Sequence, residues 1–474
     1  MMKKRIFSAV LLSAAMLAPA ALQASAKSVT ASSAKSKASA SQKTKVLDNG
    51  YPFAQVPFTS VKIAQNTFWG ARLKAAREVT VPLAFSKCES EHRYKNFEMA
   101  AYTLQHPGHA GLDTKEWDVS KFMGFSFDDT DVYKTIEGAS YILQTYPDKK
   151  MKAYIDSVLN VVGAAQEPDG YLYTARTINP KHPHGWSGAT RWSKVEVLSH
   201  ELYNLGHMVD AACAHYQATG SRKFLDIAKR YADCVIREVG PQAGQHRVVP
   251  GHQIAEMALA RLYTLTGEKK YLDYAMNSYK WSRDTLAGGL FNKKEGLWWR
   301  DKDYVPPYKE KDGSNCYWSR GNGWVYAALV RVMQTLPKTD KNYQYLKKDF
   351  ISMSKAILKC QREDGYWNVS LVCPANYGGP EMTGTGLFLY GMAWGVQQGI
   401  LPRATYQKAM DKAWKALAAS VHEDGFIGYN QGTGKDPAAG QPVTFTSVPD
   451  FEDYGTGCLL LGAAEYYKLL KVKR

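Results

Sequence analysis

A nine-residue stretch that occurs twice constrains the fold of this chain more than any other feature. Ala218-Thr-Gly-Ser-Arg-Lys-Phe-Leu-Asp226 returns as Leu265-Thr-Gly-Glu-Lys-Lys-Tyr-Leu-Asp273, displaced by 47 residues (218 to 265). In both copies an apolar helical pattern stops at Thr-Gly, and the next pattern starts with a basic pair. A repeat of this length is typical of one helical hairpin, so the stretch predicts stacked hairpins that share a core.

A second motif recurs three times, each time after a helical pattern. It joins Gln or His, an acidic residue and Asp-Gly-aromatic, at residues 166–171, 361–366 and 422–426. We expect each glycine to take a left-handed conformation that ends the helix, with the aromatic turned inward. Strand-like alternation is nearly absent, apart from a possible strand at 60–63. The sequence therefore predicts an all-α fold, an (α/α)6 toroid of about six helical hairpins around a central cleft.

Helical periodicity also predicts where the individual helices lie. They are expected at residues 131–145, 151–165, 195–218, 222–239, 253–264, 270–283, 324–336, 343–361, 385–397, 406–421 and 457–470.

The first 45 residues differ in composition from the rest. Lys3, Lys4 and Arg5 precede an apolar stretch at 6–22 and the small residues 24–26. This pattern predicts a secretory signal peptide at 1–26, followed by a disordered Ser/Ala/Lys tether at 27–45 and one domain at 46–474. No later apolar run is long enough to span a bilayer. We therefore expect a secreted or periplasmic protein.

The formal charge of +16 does not indicate a nucleic-acid partner. Eight lysines and arginines and no acidic residue lie within residues 1–45, so half of the excess belongs to the leader and tether. The remaining charge, about +8, forms no basic block of the kind that binds nucleic acid. It favours, at most, a mild preference for acidic substrates.

The seven cysteines show no zinc-binding spacing and no CxxC pair. We expect most of them to be small core residues, although the sequence also allows one disulfide bond. His182 and His184 have no acidic partner at metal-ligand spacing. The sequence predicts neither a metal nor a cofactor, and it does not indicate an oligomeric state.

The strongest candidate for ligand binding is the stretch 317–324, Tyr-Trp-Ser-Arg-Gly-Asn-Gly-Trp, called the signature stretch below. Trp318 and Trp324 can stack on sugar faces, Arg320 can hold a carboxylate with two hydrogen bonds, and Asn322 can bridge hydroxyl groups. One such tryptophan alone would more often be a core residue. Four such side chains within seven positions favour a binding site for a sugar acid.

Acidic residues before a predicted helix are the candidates for catalysis. Asp128, Asp129 and Asp131 form a set of like charges, in which one carboxyl can have a raised pKa, although N-capping explains any single one equally well. We expect Asp129 and Asp131 to be catalytic. Trp298 and Trp299 are expected to form a wall of the cleft, with one of the two in the core.

From residue 288 onward the chain resembles glycoside hydrolase family 105, the unsaturated rhamnogalacturonyl hydrolases. The resemblance rests on Gly296-Leu-Trp-Trp-Arg-Asp301, the signature stretch, 361–371, Pro380-Glu-Met-Thr-Gly-Thr385 and Tyr454-Gly-Thr-Gly457. It implies an (α/α)6 barrel that removes an unsaturated uronic acid from pectin fragments, with Trp318, Arg320 and Trp324 lining the sugar subsite. The segment 249–256 stands where that family has a catalytic aspartate, and here it offers His252 and Glu256.

The first half resembles glycoside hydrolase family 127, the β-L-arabinofuranosidases. The residues that carry this resemblance are Val61-Lys-Ile, Phe68-Trp69, 131–141, 166–172, His200-Glu-Leu-Tyr203, Gly206-His207 and Pro250-Gly-His252. The resemblance implies that His200 and His252 bind sugar. Family 127 enzymes use a cysteine nucleophile within a zinc-bound cysteine and glutamate cluster, and no adjacent cysteine pair exists here. The chain thus resembles two half-barrels, 46–280 and 281–474.

The sequence favours an exported glycoside hydrolase that acts on unsaturated uronyl oligosaccharides from pectin. That reaction hydrates a double bond, so one carboxyl group that acts as acid and then as base can serve both steps. The catalytic candidates are Asp129, Asp131 and Glu256. A β-L-arabinofuranosidase and an inactive sugar-binding protein remain the alternatives.

Overall fold

The computed structural model describes residues 58–114, 124–248, 250, 252, 254–432, 434, 437–447 and 453–471. The predicted signal peptide and tether lie outside these residues. No described helix combines the length and the apolar character needed to cross a bilayer.

Helices account for most of the described chain. The helices of the first part are α1 (Phe68–Ala75), α2 (Val81–Ser90), α3 (Arg93–Gln105), α4 (Asp129–Thr145), α5 (Lys149–Ala164), α6 (Thr174–Thr177), α7 (Glu201–Thr219), α8 (Lys223–Glu238), α9 (Ile254–Thr266) and α10 (Lys269–Asp284). Those of the second part are α11 (Ser319–Thr335), α12 (Lys341–Lys359), α13 (Pro374–Tyr377), α14 (Met382–Gln397), α15 (Arg403–Ala419) and α16 (Asp453–Lys471).

The described strands are two-residue segments in two antiparallel pairs. β1 (Phe291–Asn292) pairs with β2 (Leu297–Trp298), and β3 (Trp367–Asn368) pairs with β4 (Pro380–Glu381). The predicted all-α fold class is therefore confirmed.

The long helices alternate between an inner and an outer layer. α4, α7 and α9 pack in succession, α11, α14 and α16 do the same, and α9 meets α11. Each of these inner helices packs against an outer one, as α7 does with α8, α9 with α10, and α14 with α15. This is the arrangement of helical hairpins that the repeats predicted.

The repeated motifs act as the sequence predicted. α7 ends at Gly220 (φ 72°) and α9 at Gly267 (φ 75°), both left-handed. In the second motif, Gly170 (φ 96°) and Gly365 (φ 97°) turn the chain after an outer helix. Because only glycine adopts such angles without strain, these positions stop the helices.

The apolar residues form two hydrophobic cores. One contains buried side chains from Val81 to Tyr274 and the other from Leu272 to Leu469. The partly buried Tyr263 packs against both. The division between the cores falls in α10, close to the seam that the two family resemblances predicted.

Some sequence expectations near the start of the chain were wrong. The predicted strand at 60–63 is absent, because residues 58–60 form a 3-10 turn and 61–64 are irregular. The sequence reading missed α1, α2 and α3. The helix predicted from residue 195 begins only at Glu201, because His200 has a left-handed backbone (φ 57°) that breaks the helical path.

Candidate active site

Three aspartates and one arginine meet where α4 begins. Arg93 of α3 binds Asp128 (Nη1 to Oδ2, 3.0 Å) and Asp131 (Nε to Oδ2, 2.9 Å). The side chain of Asp128 is 4% exposed, whereas that of Asp131 is 43% exposed. Asp131 is therefore the carboxyl group of this set that a ligand can reach, and the guanidinium fixes its position.

Asp129 has a different environment, although it lies in the same helical turn. It is buried, and Thr174 donates to both of its oxygens, from the backbone N–H (3.0 Å) and from the hydroxyl (2.6 Å). Burial raises the pKa of Asp129 to about 7, with a smaller contribution from the charges of Asp128 and Asp131. Burial also raises the pKa of Asp128, so two carboxyls of the set have raised pKa values, and that of Asp129 faces α6 instead of open space.

Both predicted sugar-binding histidines belong to one aromatic cluster. This histidine wall consists of Phe127, His200, Tyr203, His207 and His252. The ring centroids of His200 and His252 are 5.5 Å apart, and Tyr203 lies 5.2 Å from His252 and 4.5 Å from His207. Phe127 packs on His200 at 4.9 Å. Flat rings that carry polar tips suit the two kinds of surface that a sugar presents.

Buried hydrogen bonds fix the direction of His200. Its positive φ is uncommon for a residue with a side chain and requires support from its surroundings. The next residue, Glu201, is fully buried and accepts from the Tyr171 hydroxyl (2.6 Å) and the Ser199 hydroxyl (2.8 Å). The Ser126 hydroxyl lies 3.4 Å from Nδ1 of His200. These contacts hold the turn that places the His200 ring in the histidine wall.

Lys134 of α4 adds a positive charge to the histidine wall. Its Nζ donates to the Tyr203 hydroxyl (2.8 Å) and lies 4.9 Å from the centre of that ring. Burial, followed by the charges of Lys134 and His252, lowers the pKa of His207 to about 3. Burial also lowers the pKa values of His200 and His252. The imidazoles are thus neutral at neutral pH, and Lys134 carries the charge.

The signature stretch starts α11, but Asn322 makes its hydrogen bonds within the protein. It is buried, and its Oδ1 accepts from the backbone N–H of Trp298 (2.8 Å). Its Nδ2 donates to the carbonyls of Trp298 and Trp318, at 3.0 Å each. Asn322 therefore clamps β2 to the start of α11. The predicted bonds to sugar hydroxyls are not available in this arrangement.

Arg320 and Trp318 are also turned to the protein. Arg320 is 4% exposed and donates to the carbonyls of Gln431 (2.7 Å) and Gly432 (3.1 Å). Its guanidinium lies over the rings of Trp318 (4.8 Å) and Tyr454 (5.1 Å). Trp318 is buried and donates to the Gln431 side chain (2.9 Å). The predicted grip on a carboxylate is replaced by an anchor for residues 431–432.

The other predicted tryptophans divide between surface and interior. Trp324 is 43% exposed and shares a face of α11 with the exposed Arg331, seven residues later. Trp298 is buried in the second core, which confirms that one of the pair 298 and 299 is a core residue. Trp299 is partly buried beside Tyr317. Trp324 is thus the tryptophan of the signature stretch that a sugar can reach.

Glu256 points away from the histidine wall. The Ser278 hydroxyl of α10 donates to its Oε1, and its Oε2 is buried without a described partner. Burial raises the pKa of this carboxyl. Ser278 also lines a cavity of about 270 Å³ between α10 and residues 239–248. The sequence placed Glu256 among the catalytic candidates, but the structure separates it from the other two.

The cysteines are not arranged as the family 127 nucleophile requires. All seven are free, and burial is the largest cause of a raised pKa at six of them, Cys88, Cys213, Cys234, Cys360, Cys373 and Cys458. A nucleophilic cysteine needs a lowered pKa. Among the described residues, the group of possible metal ligands within reach of one another contains a single cysteine, Cys234, so the zinc-bound cysteine and glutamate cluster of that family does not fit the residues present.

One group of described residues lies close enough to share a metal ion. Asp169, Cys234 and Glu238 bring one ligand atom each to within 4.8 Å of the others. However, Arg191 already donates to Asp169 (2.6 Å) and Glu238 (3.2 Å), and its Nη2 binds Glu167 (2.6 Å). The guanidinium occupies the position that a cation would need, so this group is an ion-pair network.

Sequence reasoning missed Lys134, Tyr203 and His207 as parts of the site. The available signal was the spacing of Tyr203 and His207, which lie four residues apart and therefore on one side of α7. Lys134 follows the predicted catalytic Asp131 by three residues, which also places the two side chains near one another along α4.

Different protein families match the two halves of the chain. Residues 60–297, half of the chain, match the family model for the β-L-arabinofuranosidase GH127 catalytic domain. The chain belongs to glycoside hydrolase family 127. Residues 251–470 of this family 127 chain also match the model for Glycosyl Hydrolase Family 88. Both sequence resemblances are thereby confirmed, the later one through relatives that are named unsaturated rhamnoglycuronyl hydrolases.

Curated relatives match one half each. An unsaturated 3S-rhamnoglycuronyl hydrolase of Formosa agariphila is 36% identical over 209 residues, which are 43% of this chain and 53% of the relative. A non-reducing end β-L-arabinofuranosidase of Bifidobacterium longum subsp. longum is 41% identical over 152 residues, 32% of this chain and 22% of the relative. The chain thus spans about half, or less, of the curated relatives it matches.

Solved structures resemble a larger share of the chain. A family 127 β-arabinofuranosidase superposes with a TM-score of 0.57 at 38% sequence identity. The superposition covers 89% of this chain and 63% of the β-arabinofuranosidase chain. A family 88 glycosyl hydrolase from Bacteroides vulgatus superposes with a TM-score of 0.51 at 24% identity, over 80% of this chain and 99% of its own. The second likeness shows the fold alone.

Proposed function

We propose that this chain is an exported glycoside hydrolase that removes an unsaturated uronyl residue from pectin-derived oligosaccharides. The observation that carries the proposal is an open carboxyl group, Asp131, one helical turn before Lys134 on the helix that borders the histidine wall. The names of the relatives that match the later half support the reaction. Export rests on the sequence of residues 1–26.

The reaction requires only one carboxyl group that exchanges protons. Protonation on the C4 side of the double bond and addition of water at C5 give a hemiketal, which collapses and releases the rest of the oligosaccharide. We assign both proton transfers to Asp131, because the side chains of Asp128 and Asp129 are buried. Arg93 holds Asp131 in place, while Asp129 positions the start of α4 through Thr174.

A β-L-arabinofuranosidase is the second candidate, and the histidine wall favours it. The family 127 resemblance gives sugar-binding roles to His200 and His252, which the structure brings together. Against it stands the arrangement of the thiols, because the described group of possible metal ligands contains one cysteine, Cys234, and Arg191 already binds both carboxylates of that group. The uronyl reaction needs no thiolate.

The test is an assay of the full chain on an unsaturated rhamnogalacturonan disaccharide, followed through loss of the ultraviolet absorbance of the double bond. We expect turnover by the wild type and a loss of at least about 100-fold in kcat for Asp131→Asn, since a positioned acid or base contributes about that much. Asp226→Asn, which alters an exposed aspartate of α8, is the matched control and should keep full activity.

Three results would contradict the proposal or its assignment of the acid. No loss of absorbance with a folded wild-type chain would exclude uronyl hydrolysis. Release of arabinose from an arabinofuranoside that iodoacetamide abolishes would instead establish the thiolate mechanism. Turnover that survives in Asp131→Asn but not in Asp129→Asn would move the acid to the buried carboxyl.

A further inference from the structure

We propose that Lys134 is the residue that binds the carboxylate of a uronic acid, so that recognition of the anion comes from α4 in the first half of the chain instead of from the arginine of the signature stretch. The assignment deepens the proposed function and rests on it for the identity of the natural ligand. It concerns a side chain to which neither family resemblance gave a role.

Lys134 differs from the other cations near the wall because its charge is not neutralised. Arg93 is bound by two aspartates, and Arg300 pairs with Asp301. Deeper between the inner helices, Arg261 is held by Glu137 and Asp210. Within the described residues, the hydrogen-bond partner of Lys134 Nζ is a neutral hydroxyl, that of Tyr203, and no carboxylate forms an ion pair with it.

The position of Lys134 also suits a ligand. The residue is exposed, and the Tyr203 hydroxyl and ring hold its ammonium group beside the histidine wall. An ammonium keeps further N–H donors after this one bond, and these can reach a carboxylate oxygen. Burial and, to a smaller extent, the charge of Lys134 lower the pKa values of His207 and His252, as expected when a cation lies near both rings.

The neighbouring histidines then have a separate task. His200 donates through Nδ1 to the Leu198 carbonyl, so its neutral ring offers a ligand Nε2 as an acceptor. The neutral ring of His252 can donate through one nitrogen and accept through the other, as sugar hydroxyls require. A uronic acid needs both kinds of partner, a cation for its carboxylate and neutral polar groups for its ring hydroxyls. A neutral arabinofuranose would need only the second kind, so Lys134 separates the two candidate substrate classes.

Arg320 does not compete for this role. It is 4% exposed, and two of its N–H groups donate to backbone carbonyls, so a ligand has little access to its guanidinium. A ligand that drew the guanidinium away would break both of these hydrogen bonds, although the Gln431 carbonyl would keep the Tyr454 hydroxyl as a donor. Lys134 can bind an anion without breaking any ion pair among the described residues.

The experiment is an equilibrium titration of the full chain, followed by NMR, with two probes that differ in one group. D-Galacturonate carries a carboxylate where D-galactose carries a hydroxymethyl group. Lys134→Gln should weaken galacturonate binding by about ten- to a hundredfold, as expected for a lost charged hydrogen bond. Lys134→Arg should stay within about threefold because it keeps the charge, and galactose binding should be unchanged in both variants.

Lys149→Gln on α5 is the matched control, since it removes an exposed lysine from another helix and should leave both affinities unchanged. Equal affinity for galacturonate in Lys134→Gln and wild type, or an equal loss for both sugars, would overturn the assignment. Because binding is measured without turnover, the proposed function can fail alone: lysine-dependent galacturonate binding by a chain that leaves the unsaturated disaccharide intact would support the site and reject the reaction.

Discussion

At the scale of residues, burial decides what a polar side chain in this protein can do. Asp129 and Asp131 are two positions apart, yet the first is tied to Thr174 in the interior and the second is 43% exposed. Arg320 and Lys134 differ in the same way, because protein carbonyls hold the arginine and the lysine charge stays open. Residue type alone therefore does not distinguish a cation that the protein itself uses from one whose charge stays open.

His215 offers a test of burial through pH. It is fully buried in α7, and neither ring nitrogen has a described partner. Burial lowers its pKa from 6.5 to about 4. Between these values the unfolded state binds more protons than the folded state, so stability is present above pH 6.5 and is lost as the pH falls toward 4.

We expect this histidine to reduce the free energy of unfolding by up to about 3 kcal/mol across that range. His215→Leu should remove that part of the acid loss, as measured by urea unfolding at pH 7 and pH 5. His182→Leu, at an exposed position, is the control. An unchanged difference between the two pH values in His215→Leu would show that His215 does not titrate on unfolding.

At the scale of elements, the second repeated motif works as a staple between outer helices. Gln166 donates through Nε2 to the carbonyls of Gly170 (2.9 Å) and of Ile227 in α8 (3.0 Å). Gln361 does the same with Gly365 (3.0 Å) and with Ala409 in α15 (2.9 Å). The third copy has His422, which contacts the carbonyl of Phe445 instead. One motif thus fixes two hairpins in the same way.

The glycines of this motif allow a prediction with an internal control. A Cβ at Gly365 would lie 2.4 Å from the Lys412 carbonyl oxygen of α15, whereas a Cβ at Gly425 meets nothing within 4 Å. Both residues have positive φ, 97° and 88°. Gly425→Ala should therefore cost about 1–2 kcal/mol from backbone strain alone, and Gly365→Ala should cost more because α15 must also move. Equal costs in denaturant titrations would show that α15 does not constrain the turn.

At the scale of the whole molecule, the two hydrophobic cores coincide with the two family matches. The first core ends and the second begins in α10, which lies in the range 251–297 where the family 127 and family 88 matches overlap. Inner helices of the two halves meet where α9 packs on α11. Each core has its own set of buried side chains, so the halves can differ in stability.

We predict that the halves lose structure in separate steps. Leu205→Ala in the first core and Leu387→Ala in the second both remove a fully buried side chain, at a cost of about 2–5 kcal/mol. Hydrogen exchange with mass spectrometry should show each substitution lowering protection mainly in its own half. If both lower protection evenly along the described chain, the barrel is one cooperative unit.

The sequence by itself determined the helical architecture. Apolar periodicity and the Thr-Gly and Asp-Gly stops are local signals, and they located α4, α5 and most later helices to within a few residues. They did not find α1 to α3, whose apolar side chains include several that remain exposed, such as Phe68, Trp69 and Leu83. Apolar periodicity indicates a helix that buries one face, so it does not detect a helix whose buried face is small.

Only the tertiary structure decided which polar side chains stay open and which bind other parts of the protein. Sequence chemistry named Arg320 and Asn322 from their side chains, but Arg320 finds its partner 111 residues later at Gln431. The same distant packing joined His200 to His252 and left the Lys134 charge open. A hydrogen bond is satisfied by whichever group the fold brings within reach, so the free groups of this protein appear only after the helices have packed.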